Sequence, residues 1–143
     1  WQSVIDTNLT GTFRVVRRAS RPMMRGRFGR IILISSVVGL LGSPGQINYS
    51  SSKAALVGMA RSLTREIGSR NVTTNVIAPG FIETDMTAVL PDETIADYTK
   101  RIPAGRLGSV DDVAQAALFL AGDHAGYISG AVIPVDGGLG MGH

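Results

Sequence analysis

The run Arg30-Ile-Ile-Leu-Ile-Ser35 limits the possible folds more than any other stretch of this chain. It is β-branched and nearly all apolar, with no polar residue at alternating positions. A strand of that kind suits a parallel sheet covered on both faces. Parallel neighbours need long crossovers, usually helices, and the flanking sequence supplies them. From Trp1 to about Arg25 the residues Ile5, Leu9, Phe13, Val16 and Met23 fall near one helical face. Asn8 and Gly11 weaken the middle of that helix, and Pro22 predicts a kink or a break. Leu56, Met59, Ala60, Leu63 and Ile67 form the buried stripe of a second helix, from Ile47 to about Ser69.

The rest of the chain continues the alternation. Val72 to Ala78 predicts a second strand, stopped by Pro79-Gly80, and Ala131 to Val135 a third. Val37 to Gln46, with three glycines and Pro44, reads as loop. From Phe81 to about Leu107 the pattern is irregular, with short helical pieces at 84–90 and 92–101, and reads as a mobile flap over a site. Ser109-Val-Asp-Asp112 opens a last helix in capping-box fashion, with Val113, Ala116, Ala117 and Leu120 on its apolar face. Asp136-Gly-Gly-Leu-Gly140 reads as a flexible tail. Helices alternating with strands predict an α/β fold of parallel βαβ units. Ligands in such sheets lie beyond the carboxyl ends of the strands, where Ser36 and Pro79-Gly80 both fall.

A chain of 143 residues suits one domain with a real core. It contains no run of eighteen apolar residues, so no membrane span is expected, and no charged-then-apolar leader suggests export. The absence of cysteine excludes disulfides and thiol catalysis and fits a cytoplasmic protein. Two distant histidines, His124 and His143, predict no metal centre. The net charge of +3 is unevenly placed: of fourteen basic residues, seven (Arg14, Arg17, Arg18, Arg21, Arg25, Arg27 and Arg30) lie in the first thirty positions, opposed there by Asp6 alone. A solvated helix face accounts for this, as does a landing surface for an acidic partner or a phosphate-bearing substrate. With no aromatics interleaved, nucleic acid is not expected.

Chemistry concentrates at Tyr49 and Lys53, one helical turn apart on one face. A phenol needs help to act as an acid or base near neutral pH, and an ammonium beside it favours the phenolate. Ser36, thirteen residues earlier at the end of the first strand, adds a hydroxyl that could grip a carbonyl oxygen. Taken alone, Tyr49 and Lys53 are an ordinary exposed helix pair, Ser36 competes with Ser35, and Asn8 is a tolerated polar residue in a helix.

In this order, Asn8, Ser36, Tyr49-x-x-x-Lys53 and Asn75-Val-Ile-Ala-Pro-Gly80 resemble the classical short-chain dehydrogenase/reductase family, over the whole chain. Asn8-Leu-Thr, Pro79-Gly-Phe-Ile-Glu-Thr-Asp-Met86 and Ile102-Pro-Ala-Gly-Arg-Leu-Gly108 resemble its 3-oxoacyl-acyl-carrier-protein reductases. The tail from Tyr127 to Gly138 resembles actinobacterial versions. The resemblance implies a Rossmann-like doubly wound parallel sheet, of which residues 1–143 supply the last three strands and their helices. It implies reduction of a 3-oxoacyl thioester on acyl carrier protein by NADPH. In this reading Tyr49 is the proton donor, Ser36 holds the carbonyl, and Asn8 helps hold a water that feeds protons to Lys53. Lys53 also bonds the nicotinamide ribose, and the segment of Pro79, Gly80, Ile82 and Thr84 meets the nicotinamide. The resemblance further implies a homotetramer, built through the first helix, the Tyr49 helix and the last strand region, and a carrier-protein dock at Arg27 and Arg70. Other family members act on sugars, steroids or polyketides, and an inactive remnant serving in assembly is a third reading.

One departure is large. The family's glycine-rich turn, Gly-x-x-x-Gly-x-Gly, does not occur ahead of the catalytic set. About 100 residues and four strands of a doubly wound domain are missing by comparison. The expectation is a carboxyl-terminal half that aggregates or folds poorly alone, because its first strand keeps an unpaired edge.

Overall fold

The computed structural model describes residues 1–141, so His143 lies outside it. The expected α/β alternation is present, with some differences in detail. Helix α1 (Gln2–Ile5) passes through one π-helical turn, Asp6–Thr10, into α2 (Gly11–Gly26). The break in regularity therefore falls at Asn8 and not at Pro22, where the helix continues. A proline inside a helix removes one hydrogen bond. Val16, buried before it, and Met23 and Met24, packed on the core after it, hold the backbone on both sides. Arg27, at φ 52°, ends α2 in the left-handed region.

Strand β1 (Gly29–Ile34) follows, then α3 (Val37–Leu41) where loop was expected. The reason is local: Ser36 is an N-cap whose Oγ accepts the Val38 N–H at 3.2 Å, ahead of a short apolar turn. Helix α4 (Ile47–Ile67) and a 3₁₀ turn, Gly68–Arg70, lead to β2 (Val72–Pro79). The flap holds α5 (Asp85–Ala88) and α6 (Asp92–Arg101). Helix α7 (Val110–Ala121) has the capping box read from Ser109 and Asp112, and β3 (Val132–Val135) closes the order.

The strands form one parallel sheet, ordered β1-β2-β3, with Gly29 opposite Val72 and Val76 opposite Val132. Helices cover both faces. Val16 of α2 and Leu56, Ala60 and Ile67 of α4 pack on Ile31, Leu33, Val72 and Val76. On the other face α7 places Leu120 against Ile77, with Ile32 and Ile133 beside them. Strand β2 is buried along nearly its whole length. Strand β1 is less covered than a two-sided apolar run predicts: Ile34 is 43% exposed, and among the described residues β1 pairs on one edge only.

The last turn is held rather than loose. The Asp136 carboxylate accepts the N–H groups of Gly138 and Gly140, both at 2.9 Å, and Ala104 N–H donates to the Gly137 carbonyl at 2.9 Å. A Cβ on Gly137, whose φ is 64°, would lie 2.7 Å from Ile102 Cγ2. The flap is likewise tied at its base. Gly108 N–H donates to Phe81 O at 2.9 Å, and Glu83 N–H to Gly108 O at 2.8 Å. Phe81 stacks on Tyr98 of α6 with ring centroids 4.1 Å apart.

Candidate active site

The segments leaving β1 and β2 at their carboxyl ends, the start of α4 and the flap enclose one cavity of about 560 Å³. Ser36, Val37 and Val38 line it after β1, and Gln46 and Tyr49 at the start of α4. Gly80, Phe81 and Ile82 line it after β2, and Thr84, Thr87, Leu90, Ile95, Tyr98 and Leu107 from the flap side. Ser36, Gln46 and Tyr49 bring polar groups from one side and Thr84, Thr87 and Tyr98 from the flap, while most of the wall is apolar.

Ser36 and its competitor Ser35 have separate surroundings. The Ser35 hydroxyl is buried and donates to the Lys53 carbonyl at 2.8 Å, fixing β1 to α4. Ser36 instead lines the cavity with Tyr49. Its oxygen accepts the Val38 N–H, which leaves the hydroxyl hydrogen able to donate elsewhere.

Lys53 stands one turn beyond Tyr49, its Nζ 5.7 Å from the centroid of the Tyr49 ring. Nζ donates to the Ile34 carbonyl at 2.9 Å, the last residue of β1. Partial burial lowers the Lys53 pKa, because the ammonium is taken out of water. Helix α3 packs hard on this turn: a Cβ on Gly39 would lie 2.8 Å from Lys53 Cβ. A larger residue there would push the lysine out of position.

Asn8 reaches the same helix from the π-turn. Its Nδ2 donates to Ser52 Oγ at 3.2 Å, and Ser52 Oγ donates to the Tyr49 carbonyl at 2.7 Å. Ser52 is fully buried. Sequence reasoning missed this link, since a serine inside a helix gives no signal of what it faces.

The expected cofactor segment divides. Gly80, Ile82 and Thr84 line the cavity, whereas Pro79 ends β2 opposite Val135 and is not among its lining residues. A Cβ on Gly80 would lie 2.8 Å from both Cα and Cβ of Asp136. The bare backbone there is thus required by the chain itself, whatever binds beside it. Gln46, Phe81, Thr87, Leu90, Ile95, Tyr98 and Leu107 were not singled out in the sequence. The apolar flap positions follow no single period, so no stripe betrayed them.

Arg27 and Arg70 lie elsewhere. They precede β1 and β2, at the amino ends of the strands, the opposite end of the sheet from the cavity. Asn71 Nδ2 donates to the Arg27 carbonyl at 3.2 Å, which brings the two turns together. Among the described residues no three acidic, histidine or cysteine side chains are grouped to hold a metal ion, and no helix is long and apolar enough to cross a membrane.

Comparison with known proteins places this architecture. A family model described as enoyl-(acyl carrier protein) reductase matches residues 1–140. The 3-oxoacyl-[acyl-carrier-protein] reductase MabA of Mycobacterium tuberculosis (strain H37Rv) is 54% identical over 143 residues, covering 100% of this chain and 58% of the relative. FabG of Aquifex aeolicus is 52% identical over 139 residues, covering 97% of the chain and 56% of the relative. FabG of Escherichia coli K12 is 50% identical over 141 residues, covering 99% and 58%. A solved structure from Agrobacterium tumefaciens, provisionally named a gluconate dehydrogenase, superposes with a TM-score of 0.95 at 33% identity, over 100% of this chain and 57% of its own. The chain thus spans somewhat more than half the length of the curated relatives it matches. By fold and by sequence over nearly its whole length, it belongs to the short-chain dehydrogenase/reductase family.

Proposed function

We propose that residues 1–143 form the carboxyl-terminal, catalytic half of a single short-chain dehydrogenase/reductase domain. In this reading the domain reduces 3-oxoacyl thioesters on acyl carrier protein to 3-hydroxyacyl thioesters in cytoplasmic fatty acid biosynthesis. The observation that carries the reading is the cavity: the side chains of Ser36 and Tyr49 line it beside mostly apolar walls. An acyl chain suits the walls formed by Val37, Val38, Leu90, Ile95 and Leu107. A sugar acid, the substrate named for the Agrobacterium structure, would need more polar partners than these walls offer.

The cofactor of this reading is NADPH, which supplies the hydride. The residues present fit its nicotinamide half. Lys53 Nζ carries three N–H groups and spends one on Ile34, leaving donors for ribose hydroxyls. Gly80, Ile82 and Thr84 supply a wall on which the ring can lie. Tyr49 donates its proton to the ketone oxygen while the Ser36 hydroxyl holds that oxygen. Lys53 stabilises the charge left on the phenol oxygen until a proton returns. Asn8, through Ser52, holds the helix turn that carries Tyr49 and has a second amide N–H for a proton-relaying water.

The exposed apolar residues Phe13 and Val15 on α2 and Ile47 on α4 support a homotetramer built through those helices and the last strand region. The separation of Arg27 and Arg70 from the cavity bears on the carrier. A carrier protein docked on that turn pair would sit at the end of the sheet away from this chain's own cavity.

The experiment is direct. This chain is joined behind the amino-terminal portion of the M. tuberculosis relative, and NADPH absorbance is followed: its loss with acetoacetyl thioester, its formation from NADP+ with gluconate-type alcohols, and its level without substrate. Turnover of the thioester above the others is expected. Turnover of the sugar acid alone transfers the site to the second substrate class, and silence with both points to an inactive remnant.

A further inference from the structure

Beyond the residues already assigned, the polar side chains lining the cavity are Gln46, Thr87 and Tyr98; Thr87 serves the cap of α5 and Tyr98 stacks on Phe81, which leaves Gln46 without a structural task. It occupies the N-cap position of α4, yet its side chain makes no capping bond. An N-cap is served by short side chains such as serine or aspartate, and glutamine is too long to close back on its own helix. Here the neighbouring Asn48 Oδ1 accepts a first-turn N–H, that of Tyr49, at 2.8 Å. The Gln46 carboxamide, with two donors and an acceptor, has no hydrogen-bond partner among the described residues.

Its place in the site is specific. Gln46, the residue just outside α4, precedes Tyr49 by three residues, and both line the same cavity. Gln46 also lines a second, smaller cavity of about 260 Å³, whose walls share Val37, Val38, Phe81 and Tyr98 with the first. It therefore stands where the reacting cavity meets its neighbour, on the side that also carries Tyr49 at the start of α4.

We propose that Gln46 is a specificity-determining residue that reads a second carbonyl of the substrate, its amide N–H donating to the thioester oxygen while Ser36 and Tyr49 hold the 3-oxo oxygen. This rests on the reading that the site reduces a 3-oxoacyl thioester. A substrate with two carbonyls one carbon apart presents two oxygens in a fixed relation, and a site with donors at both places rejects a ketone that lacks the second. A neutral donor suits the task, because the thioester oxygen is uncharged and stays so through the reaction. A charged group would hold water there.

The test uses Gln46→Leu and Gln46→Glu in the joined protein described above, assayed on a 3-oxoacyl thioester and on a simple cyclic ketone without a second carbonyl. The side chain is exposed and without a partner, so the melting temperature is expected to stay at the wild-type value. For the thioester, kcat/KM is expected to fall about tenfold in both variants, chiefly through KM. For the simple ketone it stays within about twofold, so the ratio of the two substrates collapses. Equal losses on both substrates, or no loss on either, overturn the role of Gln46 while leaving the reductase reading in place. A wild-type protein that reduces the simple ketone but not the thioester removes the reading beneath it.

Discussion

Ser35 and Lys53 are tied across the junction of β1 and α4: the Ser35 hydroxyl donates to the Lys53 carbonyl at 2.8 Å, while the Lys53 ammonium donates to the carbonyl of Ile34 at 2.9 Å. The two bonds run in opposite directions between the same pair of segments. They fix the end of the strand relative to the helix turn that carries Tyr49. The position of Ser36, the next residue, is set by that arrangement.

Adjacent serines should therefore fail differently. Ser35→Ala in the joined protein removes a buried hydrogen bond and should cost about 1 kcal/mol, lowering the melting temperature by a few degrees, with activity reduced modestly. Ser36→Ala loses a helix cap of similar worth, but kcat is expected to fall by about 10²–10³, as when one donor to a reacting oxygen is removed. Thermal melts and steady-state rates on the two variants separate them. A Ser35→Ala protein that loses as much activity as Ser36→Ala would reverse the assignment.

Gly80 offers a test of what a glycine is for. An added Cβ meets the Asp136 backbone at 2.8 Å, so Gly80→Ala should destabilise the protein by about 1–3 kcal/mol with no cofactor present. A melt in the absence of NADPH measures this. An unchanged melt with weakened NADPH binding would instead mean that the turn at Asp136 yields and the nicotinamide does not.

For Arg27, charge reversal separates docking from chemistry. Arg27→Glu should raise KM for carrier-bound substrate severalfold and leave KM for a small thioester analogue unchanged, with a steeper effect at low salt. Equal effects on the two substrates would count against a dock. Because the residue sits at the amino end of β1, away from the cavity, a direct effect on the reacting groups is not expected.

Much of this arrangement was legible in the sequence, and the parts that were not share a cause. The all-apolar β1 and β2, and the stripe of Leu56, Ala60 and Ile67 on α4, follow from burial, which repeats with the period of the element. The positions of Ser36 and Tyr49 follow from those elements. Local composition misled where a short element depends on one cap, as at α3, or where packing outweighs an unfavourable residue, as at Pro22. Gly137 and Gly138 resemble a loose tail until the Asp136 carboxylate, the Ala104 N–H and the side chains of Ile102 and Pro103 are seen to hold them. Contacts between segments far apart in sequence, such as Asn8 with Ser52 across 44 positions, leave no periodic trace at all.

The flap's anchor predicts an acid-sensitive site. Arg106 donates two bonds to Asp112, at 2.7 and 3.2 Å, and the Ser109 N–H adds a third at 2.8 Å. These bonds, the Arg106 pair first, hold the Asp112 carboxyl well below the ordinary aspartate value of 3.8. A carboxylate whose folded pKa is depressed favours the folded anchor fully above that ordinary value. The contribution declines as pH drops below 3.8 and is gone once pH passes below the folded value. The pair is partly exposed, so the stabilisation is modest and confined to where Asp112 acts: the cap of α7 and, through Gly108, the base of the flap. Hydrogen exchange of residues 83–107 should therefore hold steady down to about pH 4 and quicken progressively below it, after correction for intrinsic rates. Asp112→Asn should exchange faster at the higher pH and lose most of the acid dependence, because it has no carboxylate to protonate. If the variant keeps the wild-type pH profile, some other acid controls the flap and the Arg106–Asp112 clamp does not anchor it.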